Sequence, residues 1–237
     1  MTGRGSVLVT GGGSGLGSAT AVLLAKLGYD VHVAGRTEQT LAAVVATIAG
    51  RGGRAHAHLL DVRDADACER VVDEVVRISG RIDVLVNNAG LFRRGTVTQV
   101  PREDWTLTID TNLTGAFHAA RAAAVRMRGQ EPRDGCRGHI LNVNSGAGLR
   151  GYAVGAAYTA SKFGLMGLSD ALRQEVGPDL VKVTDVVVAT AVRSNLSSRT
   201  GVRRLPAETV ARTIAGVLSL SGAAVVTRVD LEQLPEG

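Results

Sequence analysis

The sequence of 237 residues contains few aromatic side chains, since Phe, Trp and Tyr together make up 3% of it while hydrophobic residues make up 45%. A core built from this chain must therefore be aliphatic and rely on Ala, Val and Leu. Such cores are typical of parallel strands that are covered by helices. Proline is also scarce, with five residues, and no Pro/Ser-rich linker divides the chain into domains.

Cysteines and long apolar runs are equally scarce. Cys68 and Cys136 are the two cysteines, and their spacing matches no metal-binding or redox motif, which predicts two reduced thiols in a cytoplasmic protein. No apolar run reaches the roughly 18 residues of a membrane span. A strand-like segment begins at Ser6, which leaves no room for a signal peptide. We therefore expect a cytoplasmic protein with no membrane contact and no metal site.

The net charge of +5 comes mainly from arginine, because the chain has lysine only at Lys26, Lys162 and Lys182. A basic balance favours anionic ligands such as nucleotide phosphates or acyl-carrier partners. The basic residues are scattered, with no long cluster and no interleaved aromatics. We therefore expect no nucleic-acid partner.

Short aliphatic runs alternate with stretches of helical spacing along nearly the whole chain. This alternation predicts a Rossmann-type, doubly wound α/β fold, and right-handed crossovers would place helices on both faces of the sheet. We predict a single domain, residues 1–237, around a seven-stranded parallel sheet. The predicted strands are Ser6–Thr10, Val31–Ala34, Ala55–Leu60, Val84–Val86, His139–Asn144, Val181–Val188 and Ala224–Thr227. The predicted helices are Leu16–Leu27, Glu38–Ala49, Ala65–Ile78, two segments within Arg102–Arg128, Ala156–Val176 and Ala207–Leu218.

A glycine-rich loop, Thr10-Gly11-Gly12-Gly13-Ser14-Gly15-Leu16-Gly17, follows the first predicted strand. Glycines in such a turn allow the backbone to approach a pyrophosphate at the N-terminus of the next helix. A glycine cluster alone could be a flexible turn, and the flanking strand and helix favour a dinucleotide site. A phosphate loop of the nucleotide-hydrolase kind is excluded, because Ser18 stands where that loop requires lysine.

Tyr158 and Lys162 are four positions apart in a predicted helix, so they share one face. A tyrosine ordinarily has a pKa near ~10, and a neighbouring ammonium would lower that pKa toward neutrality. A tyrosine in this setting can act as a general acid or base. The pair could equally be two ordinary residues on an amphipathic helix, so further motifs must decide.

Further motifs follow in order: Asn87-Asn88-Ala89-Gly90, Asn112 and Ser145, which lies shortly before Tyr158. With them, the sequence resembles the short-chain dehydrogenase/reductase family in its single-domain form. The resemblance implies that Tyr158 delivers a proton to a carbonyl that Ser145 hydrogen-bonds. It also implies that Lys162 lowers the pKa of Tyr158 and binds the nicotinamide ribose, and that Asn112 anchors a water in the proton path. The implied catalytic tetrad is Asn112, Ser145, Tyr158 and Lys162.

The end of the second predicted strand indicates which cofactor binds. NAD-type sites place a carboxylate there to bind the ribose hydroxyls, whereas this chain has Gly35 and then Arg36. Arg36 would bind the 2′-phosphate of NADP, unless it is a solvated surface residue, so we predict NADP(H) rather than NAD(H). By resemblance, Asp61 and Val62 border the adenine, although Asp61 could instead cap a helix. The other cofactor-binding residues that the resemblance implies are Gly11, Ser14, Gly15, Leu16, Gly17, Asn88, Ala89, Gly90, Tyr158, Lys162 and Val192.

The chain departs from the family pattern after the sixth predicted strand. Ala189-Thr190 replaces the usual Pro-Gly pair, which should change how the backbone turns near the nicotinamide. Asn195–Leu205 is short for a substrate lid, which suggests an open pocket for a bulky or carrier-bound substrate. The C-terminus lacks the closing Asp-Gly-Gly of fatty-acid-type ketoacyl reductases, so it resembles more closely the branch of the family that acts on hydroxy acids, aldehydes and specialised metabolites. We expect the pocket to be lined from Leu91–Thr98, Gly146–Gly155 and Val192–Arg204.

Together these patterns predict an NADP(H)-dependent oxidoreductase that reduces a ketone or aldehyde to an alcohol, or runs the reverse reaction. The substrate would be a small molecule, and a bulky specialised metabolite fits the short lid. One alternative is a non-catalytic NADP-binding sensor or scaffold on the same fold. Another is an epimerase or dehydratase, although such relatives are typically longer. The resemblance also implies a homodimer or homotetramer joined through the helices within Asp110–Arg128 and Ala156–Val176.

Overall fold

Seven parallel strands form one sheet in the order β3-β2-β1-β4-β5-β6-β7 in the computed structural model, which describes residues 4–189, 205–220, 222 and 224–233. The order reverses beside β1, and doubly wound sheets bind ligands at such a switch point, outside the carboxyl ends of the strands. The predicted Rossmann-type sheet is therefore confirmed. The strands are β1 (Ser6–Thr10), β2 (Asp30–Gly35), β3 (Arg54–Leu59), β4 (Val84–Asn87), β5 (Gly138–Ser145), β6 (Val181–Val188) and β7 (Arg228–Leu231).

Helices cover both faces of the sheet, as predicted. On one face lie α1, α2 and α7; α3, α5 and α6 cover the other, and α4 packs on α6. A π-helical turn, Asp110–Thr114, joins α4 to α5. Within the described part of the chain, none of the helices has the length and apolarity needed to cross a bilayer. The helices are α1 (Gly15–Lys26), α2 (Glu38–Ala49), α3 (Ala65–Ser79), α4 (Arg102–Ile109), α5 (Gly115–Arg128), α6 (Ala156–Val176) and α7 (Ala207–Leu218).

Alternation along the central strand divides the core into two layers. Val7 and Val9 pack in the layer under α1, α2 and α7, whereas Leu8 packs in the layer under α3 and α5. Successive side chains of a strand point to opposite faces, and because both faces are covered, every residue of β1 is buried. The core is aliphatic, as the composition predicts: Tyr29 is the one aromatic among the buried hydrophobic residues that the structure describes.

Helix α3 shows how the local sequence sets the limits of an element. The Asp64 carboxylate accepts a hydrogen bond from the backbone N–H of Ala67 at 2.9 Å and so caps the N-terminus. Gly80 ends the helix with a φ of 79°, a conformation that glycine adopts without steric cost. Between these ends, apolar residues recur at helical spacing and are buried: Cys68, Val71, Val72 and Val75.

The last strand lies later in the chain than the sequence predicts. Strand β7 spans Arg228–Leu231 instead of Ala224–Thr227, and its pairing with β6 starts where Asp185 faces Arg228. Before this point, side chains of β6 donate hydrogen bonds to carbonyl groups that would otherwise pair with the backbone of a neighbouring strand. The Lys182 ammonium donates to Ala224 O, and the Thr184 hydroxyl donates to Val226 O. The other predicted strands and helices agree with the structure closely at both ends.

Candidate active site

The carboxyl ends of the strands open into a cleft of about 770 Å³. Segments that are distant in the sequence meet there: the glycine loop, the ends of β2 and β3, the chain after β4, and the start of α6. Val192 lies outside the described residues, as does the rest of the Val192–Arg204 pocket prediction. The cleft is lined by twelve of the predicted cofactor-binding residues: Gly11, Ser14, Gly15, Leu16, Arg36, Asp61, Val62, Asn88, Ala89, Gly90, Tyr158 and Lys162.

The glycine loop packs closely against α1 and fits a pyrophosphate. Gly11 and Gly15 have φ angles of 64° and 53°, which residues with a β-carbon rarely adopt. A β-carbon on Gly17 would collide with the carbonyl oxygen of Gly11, so glycine at this position allows the helix to pack closely against the loop. Ser14, at the N-terminus of α1, makes no side-chain capping hydrogen bond. The first-turn N–H groups of α1 therefore lack that partner at a helix end that favours an anion.

The chain after β4 is fixed against the glycine loop through Thr10. The buried Thr10 hydroxyl accepts hydrogen bonds from the backbone N–H groups of Asn88 and Ala89, at 3.0 and 3.1 Å. The Asn88 side-chain amide returns a hydrogen bond to Thr10 O at 2.9 Å. These contacts set the spacing between two walls of the cleft. The side-chain amide of Asn88 is already hydrogen-bonded to the protein backbone.

At the end of the cleft formed by β2 and β3, Arg36 is exposed at the rim. Asp61 forms a forked ion pair with Arg63, whose Nε lies 3.0 Å from both carboxylate oxygens. The hydrogen bonds from Arg63 lower the pKa of Asp61, with a smaller contribution from the charge of Arg36. Among the described residues, Arg36 forms no salt bridge of its own. Its guanidinium is therefore available to an anion at this rim.

Three of the four predicted catalytic residues meet in the cleft. Ser145 ends β5, whereas Tyr158 and Lys162 lie near the start of α6. Ser145 lies close enough to the Tyr158 hydroxyl to lower its pKa, and Lys162 Nζ lies 5.7 Å from the centroid of the Tyr158 ring. Two hydroxyl groups and an ammonium are thereby gathered at one place in the cleft wall.

Asn112 lies behind this wall and fixes its position. Its amide pairs with the backbone of Leu91: Oδ1 accepts from Leu91 N at 2.8 Å, and Nδ2 donates to Leu91 O at 2.9 Å. Nδ2 also donates to the Ser161 hydroxyl at 3.2 Å. The π-helical turn that carries Asn112 is a feature often found at functional sites. The water-anchoring role that the resemblance implies for Asn112 stays a prediction.

The pKa of Tyr158 moves in the opposite direction to the sequence-based expectation. Burial raises it to about 12, although the hydrogen bond from Ser145 opposes the rise. The groups that shift the pKa of Tyr158 do not include Lys162, whose ammonium donates to the carbonyl of Val143 at 2.9 Å. Burial also lowers the pKa of Lys162 from 10.5 to about 8, with the Asp185 carboxylate opposing that change. At pH 7 the phenol is therefore protonated and the ammonium charged.

Two further aromatic residues line the cleft near Tyr158. The ring of Phe92 meets that of Tyr158 edge-on, with 5.3 Å between centroids, and is nearly parallel to the ring of Tyr152 at 6.5 Å. Three of the seven aromatic residues in the chain therefore gather at this cleft. Phe92 and Tyr152 are not among the predicted site residues, but both fall in the ranges predicted to line the pocket. Because the chain has so few aromatic residues, their presence in these ranges was a signal for a role in the site. Other lining residues had no such signal: Thr37, Thr40, Thr111, Val143 and Val188.

The sheet, the glycine loop and the Ser145–Tyr158–Lys162 cluster define a dinucleotide-binding α/β protein with a catalytic group beside the nucleotide cleft. The family model of the short chain dehydrogenases matches residues 6–201. The chain is 36% identical over 230 residues to the 3-oxoacyl-(acyl-carrier-protein) reductase of Synechocystis sp., which covers 93% of this chain and 91% of the relative. This chain belongs to the short-chain dehydrogenase family.

Two solved structures extend the comparison. A metagenomic short-chain oxidoreductase in complex with NADP is 30% identical, with a TM-score of 0.86 over 99% of each chain. An actinorhodin polyketide ketoreductase with NADPH is 27% identical, with a TM-score of 0.86 over 98% of this chain and 97% of the other. The predicted family and fold are therefore confirmed.

Proposed function

We propose that this protein is an NADPH-dependent reductase of bulky ketones, and that it can also oxidise the corresponding alcohols. The observation that carries the proposal is the cluster of Ser145, Tyr158 and Lys162 in a cleft that continues to the glycine loop and Arg36. The predicted class, an NADP(H)-dependent oxidoreductase that reduces a ketone, agrees with the names of the relative and of the two NADP-bound neighbours. No described feature favours the sensor or the epimerase alternative.

The residues of the cluster divide the work of reduction. When bound, NADPH supplies the hydride that adds to the carbonyl carbon. Negative charge then develops on the carbonyl oxygen, where hydrogen-bond donors must be in place. The neighbouring hydroxyls of Ser145 and Tyr158 can both reach one such oxygen. Tyr158, with a pKa of about 12, keeps its proton at neutral pH and can pass it to the more basic alkoxide.

Lys162 and Asn112 support that proton transfer. The Lys162 ammonium remains charged at pH 7 because its pKa is about 8, and a cation near the ring stabilises the phenolate that remains after the proton has left. Asn112 holds Leu91, next to Phe92, and Ser161, which lies in the same helix as Tyr158. It would act on the reaction by positioning these segments.

The pH profile is expected to show the titration of Lys162. Reduction should slow as pH rises through about 8, because the Lys162 ammonium loses its charge there while Tyr158 stays protonated to about 12. Initial rates from about pH 6 to about pH 10, at saturating NADPH, would check this. In Lys162→Arg the guanidinium stays charged, so the variant should be slower but should lose the limb near pH 8. A profile in the parent protein that is flat to about pH 10 would contradict the assignment.

The walls of the cleft support a bulky substrate. Phe92 and Tyr152 present two aromatic rings beside Tyr158, and Arg94 lines the same region. Apolar faces with a nearby cation suit a ring system or an acyl thioester with an anionic carrier. The Synechocystis relative is named for an acyl-carrier-protein substrate and one structural neighbour for a polyketide. The missing C-terminal Asp-Gly-Gly therefore does not separate this chain from ketoacyl reductases.

We expect polycyclic or thioester-linked ketones to be reduced with a kcat/KM at least about 10-fold higher than small aliphatic ketones, since buried apolar groups discriminate to this extent. The loss of nicotinamide absorbance with a ketone panel measures this and tests the proposed function. Phe92→Ala should reduce the preference, whereas Leu220→Ala, an exposed apolar residue outside the cleft and outside the ranges predicted to line it, should leave it unchanged. A preference for small polar ketones would refute the bulky-substrate proposal, and tight NADPH binding with no turnover on any carbonyl would refute the reductase itself.

We also propose a homo-oligomer in the cytoplasm. Helices α5 and α6 carry exposed apolar side chains that association would bury: Phe117, Val125 and Phe163, which are 44%, 57% and 45% exposed. They lie in the segments that the resemblance assigns to subunit contacts. Cys68 is buried, and burial raises the pKa of its thiol to about 12, which keeps it protonated and unreactive. An inert thiol is compatible with a reducing compartment.

A further inference from the structure

Three of the five histidines of the chain lie together at the β3 edge of the sheet, outside the cleft. The register of β2 and β3 places His32 opposite His56 and Ala34 opposite His58. Since side chains two positions apart in a strand share a face, the three imidazoles and Asp30 lie on one side of the sheet. Neither the proposed reaction nor the cofactor site uses them.

Hydrogen bonds link these groups in one line. The Ser79 hydroxyl donates to Asp30 Oδ2 at 2.7 Å, and His32 Nε2 lies 2.8 Å from the same hydroxyl oxygen. On the other side of the ring, His32 Nδ1 lies 2.9 Å from His58 Nε2. His58 Nδ1 then faces the Glu74 carboxylate at 3.5 Å. The line therefore has a carboxylate at each end.

The protons of neutral imidazoles cannot satisfy this line. Because the Ser79 hydroxyl gives its one proton to Asp30, His32 must donate from Nε2 and accept at Nδ1. The proton that His32 accepts comes from His58 Nε2, which leaves His58 Nδ1 without one. Two acceptors, His58 Nδ1 and the Glu74 carboxylate, then face each other.

A metal ion on His32 Nε2 removes the conflict. The ring proton of His32 then sits on Nδ1 and is donated to His58 Nε2. His58 in turn carries its proton on Nδ1 and donates it to Glu74. This carboxylate–histidine–histidine line is the kind of support that fixes the tautomer of a metal ligand and raises its basicity.

We propose that Asp30, His32 and His56 form a binding site for a divalent transition-metal ion, of which Zn²⁺ is the probe of choice. One ligand atom from each of these residues lies within 4.8 Å of the other two. Asp30 Oδ1 and His56 Nε2 are 3.2 Å apart, close to the separation of roughly 3.3 Å that ligands of tetrahedral zinc require. Binding would require the His32 and His56 rings to rotate until the third ligand atom comes into range, with His32 Nε2 turned away from the Ser79 hydroxyl.

The choice of ion follows from the donors and from access. Two imidazoles with one carboxylate favour zinc or its transition-metal neighbours over Mg²⁺ and Ca²⁺. The side chain of His56 is 34% exposed, which gives an ion a path from solvent and leaves a coordination position for water. Arg54, whose Nε lies 3.8 Å from Asp30 Oδ1, is 74% exposed and can turn into solvent when the ion enters. The spacing of residues along the sequence does not indicate this site, because its ligands come from two strands.

The test uses the full chain without a histidine tag, after treatment with a chelator. Titration with Zn²⁺ should show one ion bound per chain with a Kd below about 10 µM, and Co²⁺ should give the visible absorption of a low-coordinate nitrogen–oxygen site. Zn²⁺ at about 100 times its Kd should raise the melting temperature by roughly 5 °C. Absence of stoichiometric binding to the folded chain would overturn the proposal.

Variants separate this site from adventitious binding. His56→Asn, at a partly exposed position, and Asp30→Asn should each weaken Zn²⁺ binding at least about 10-fold. His58→Gln should weaken it by about 10-fold through the lost support of His32. His118→Asn, a half-buried histidine outside the cluster, should bind as the parent does. Equal loss in His118→Asn and His56→Asn would mean surface binding only, and would overturn the proposal. Circular dichroism confirms that each variant is folded.

Discussion

Tyr158→Phe is expected to lower kcat for ketone reduction by about 10³-fold, within the range that general acid catalysis contributes. Phenylalanine keeps the aromatic ring and its edge-on contact with Phe92, and it removes only the hydroxyl that carries the transferable proton. The affinity for NADPH should change little, because the glycine loop and Arg36 are untouched. Initial rates from nicotinamide absorbance, with NADPH affinity from fluorescence quenching, would measure the two effects separately.

Tyr152→Phe provides the matched control for this experiment. It removes a hydroxyl from the other tyrosine beside Phe92, within the same cleft wall, and has no part in the proposed proton transfer. We expect its kcat to stay within a few-fold of the parent. If Tyr158→Phe retained a tenth or more of the parental kcat, another group would have to supply the proton, and the mechanism proposed for the cluster would be wrong.

Local sequence patterns are sufficient to predict most of the strands and helices. The strands β1 to β6 and the helices could be predicted because each is bounded by signals that act over a few residues, as Asp64 and Gly80 do for α3. Strand β7 could not, because its start depends on side chains from another strand. Lys182 and Thr184 engage the carbonyls of Ala224 and Val226, and no pattern within the aliphatic run indicates this.

The sequence predicts which residues form the candidate site better than it predicts their pKa values. The order of motifs identified Ser145, Tyr158 and Lys162, and the structure brings them together. The direction in which the pKa of Tyr158 shifts depends on burial and on the placement of Lys162, whose ammonium donates to Val143 O. Spacing along a helix fixes neither of these. The Asn112 contact with Leu91 likewise depends on a π-helical turn that leaves no trace in the hydrophobic pattern.

The histidine cluster is also a feature that the sequence alone does not predict. His56 and His58 alternate along one strand and His32 lies on another, so their meeting depends on the register of β2 against β3. Register is set by pairing across strands and by the burial of one face. A search for ligand spacing within one segment therefore finds nothing at these positions.

Arg36→Asp is expected to weaken NADPH binding by about 10²-fold while leaving NADH binding unchanged or improved. The guanidinium of Arg36 lies at the cleft rim beyond β2, where the structure gives it no competing salt bridge among the described residues. A charge-assisted contact to a 2′-phosphate would be lost, and the introduced carboxylate would repel that phosphate. The same carboxylate can accept hydrogen bonds from the ribose hydroxyls of NADH. Dissociation constants for both cofactors, measured at one fixed ionic strength, would show the change in preference.

Arg94→Asp makes the same change in net charge at another part of the cleft wall, beside the aromatic residues. A general electrostatic attraction of the basic chain for anions would make the two variants lose NADPH affinity alike, and would make both lose NADH affinity to a similar degree. Specific recognition of the 2′-phosphate makes only Arg36→Asp discriminate, because that phosphate is the group by which the two cofactors differ. Equal losses for NADPH and NADH in Arg36→Asp would therefore place the 2′-phosphate elsewhere and refute Arg36 as the reason for an NADP(H) preference.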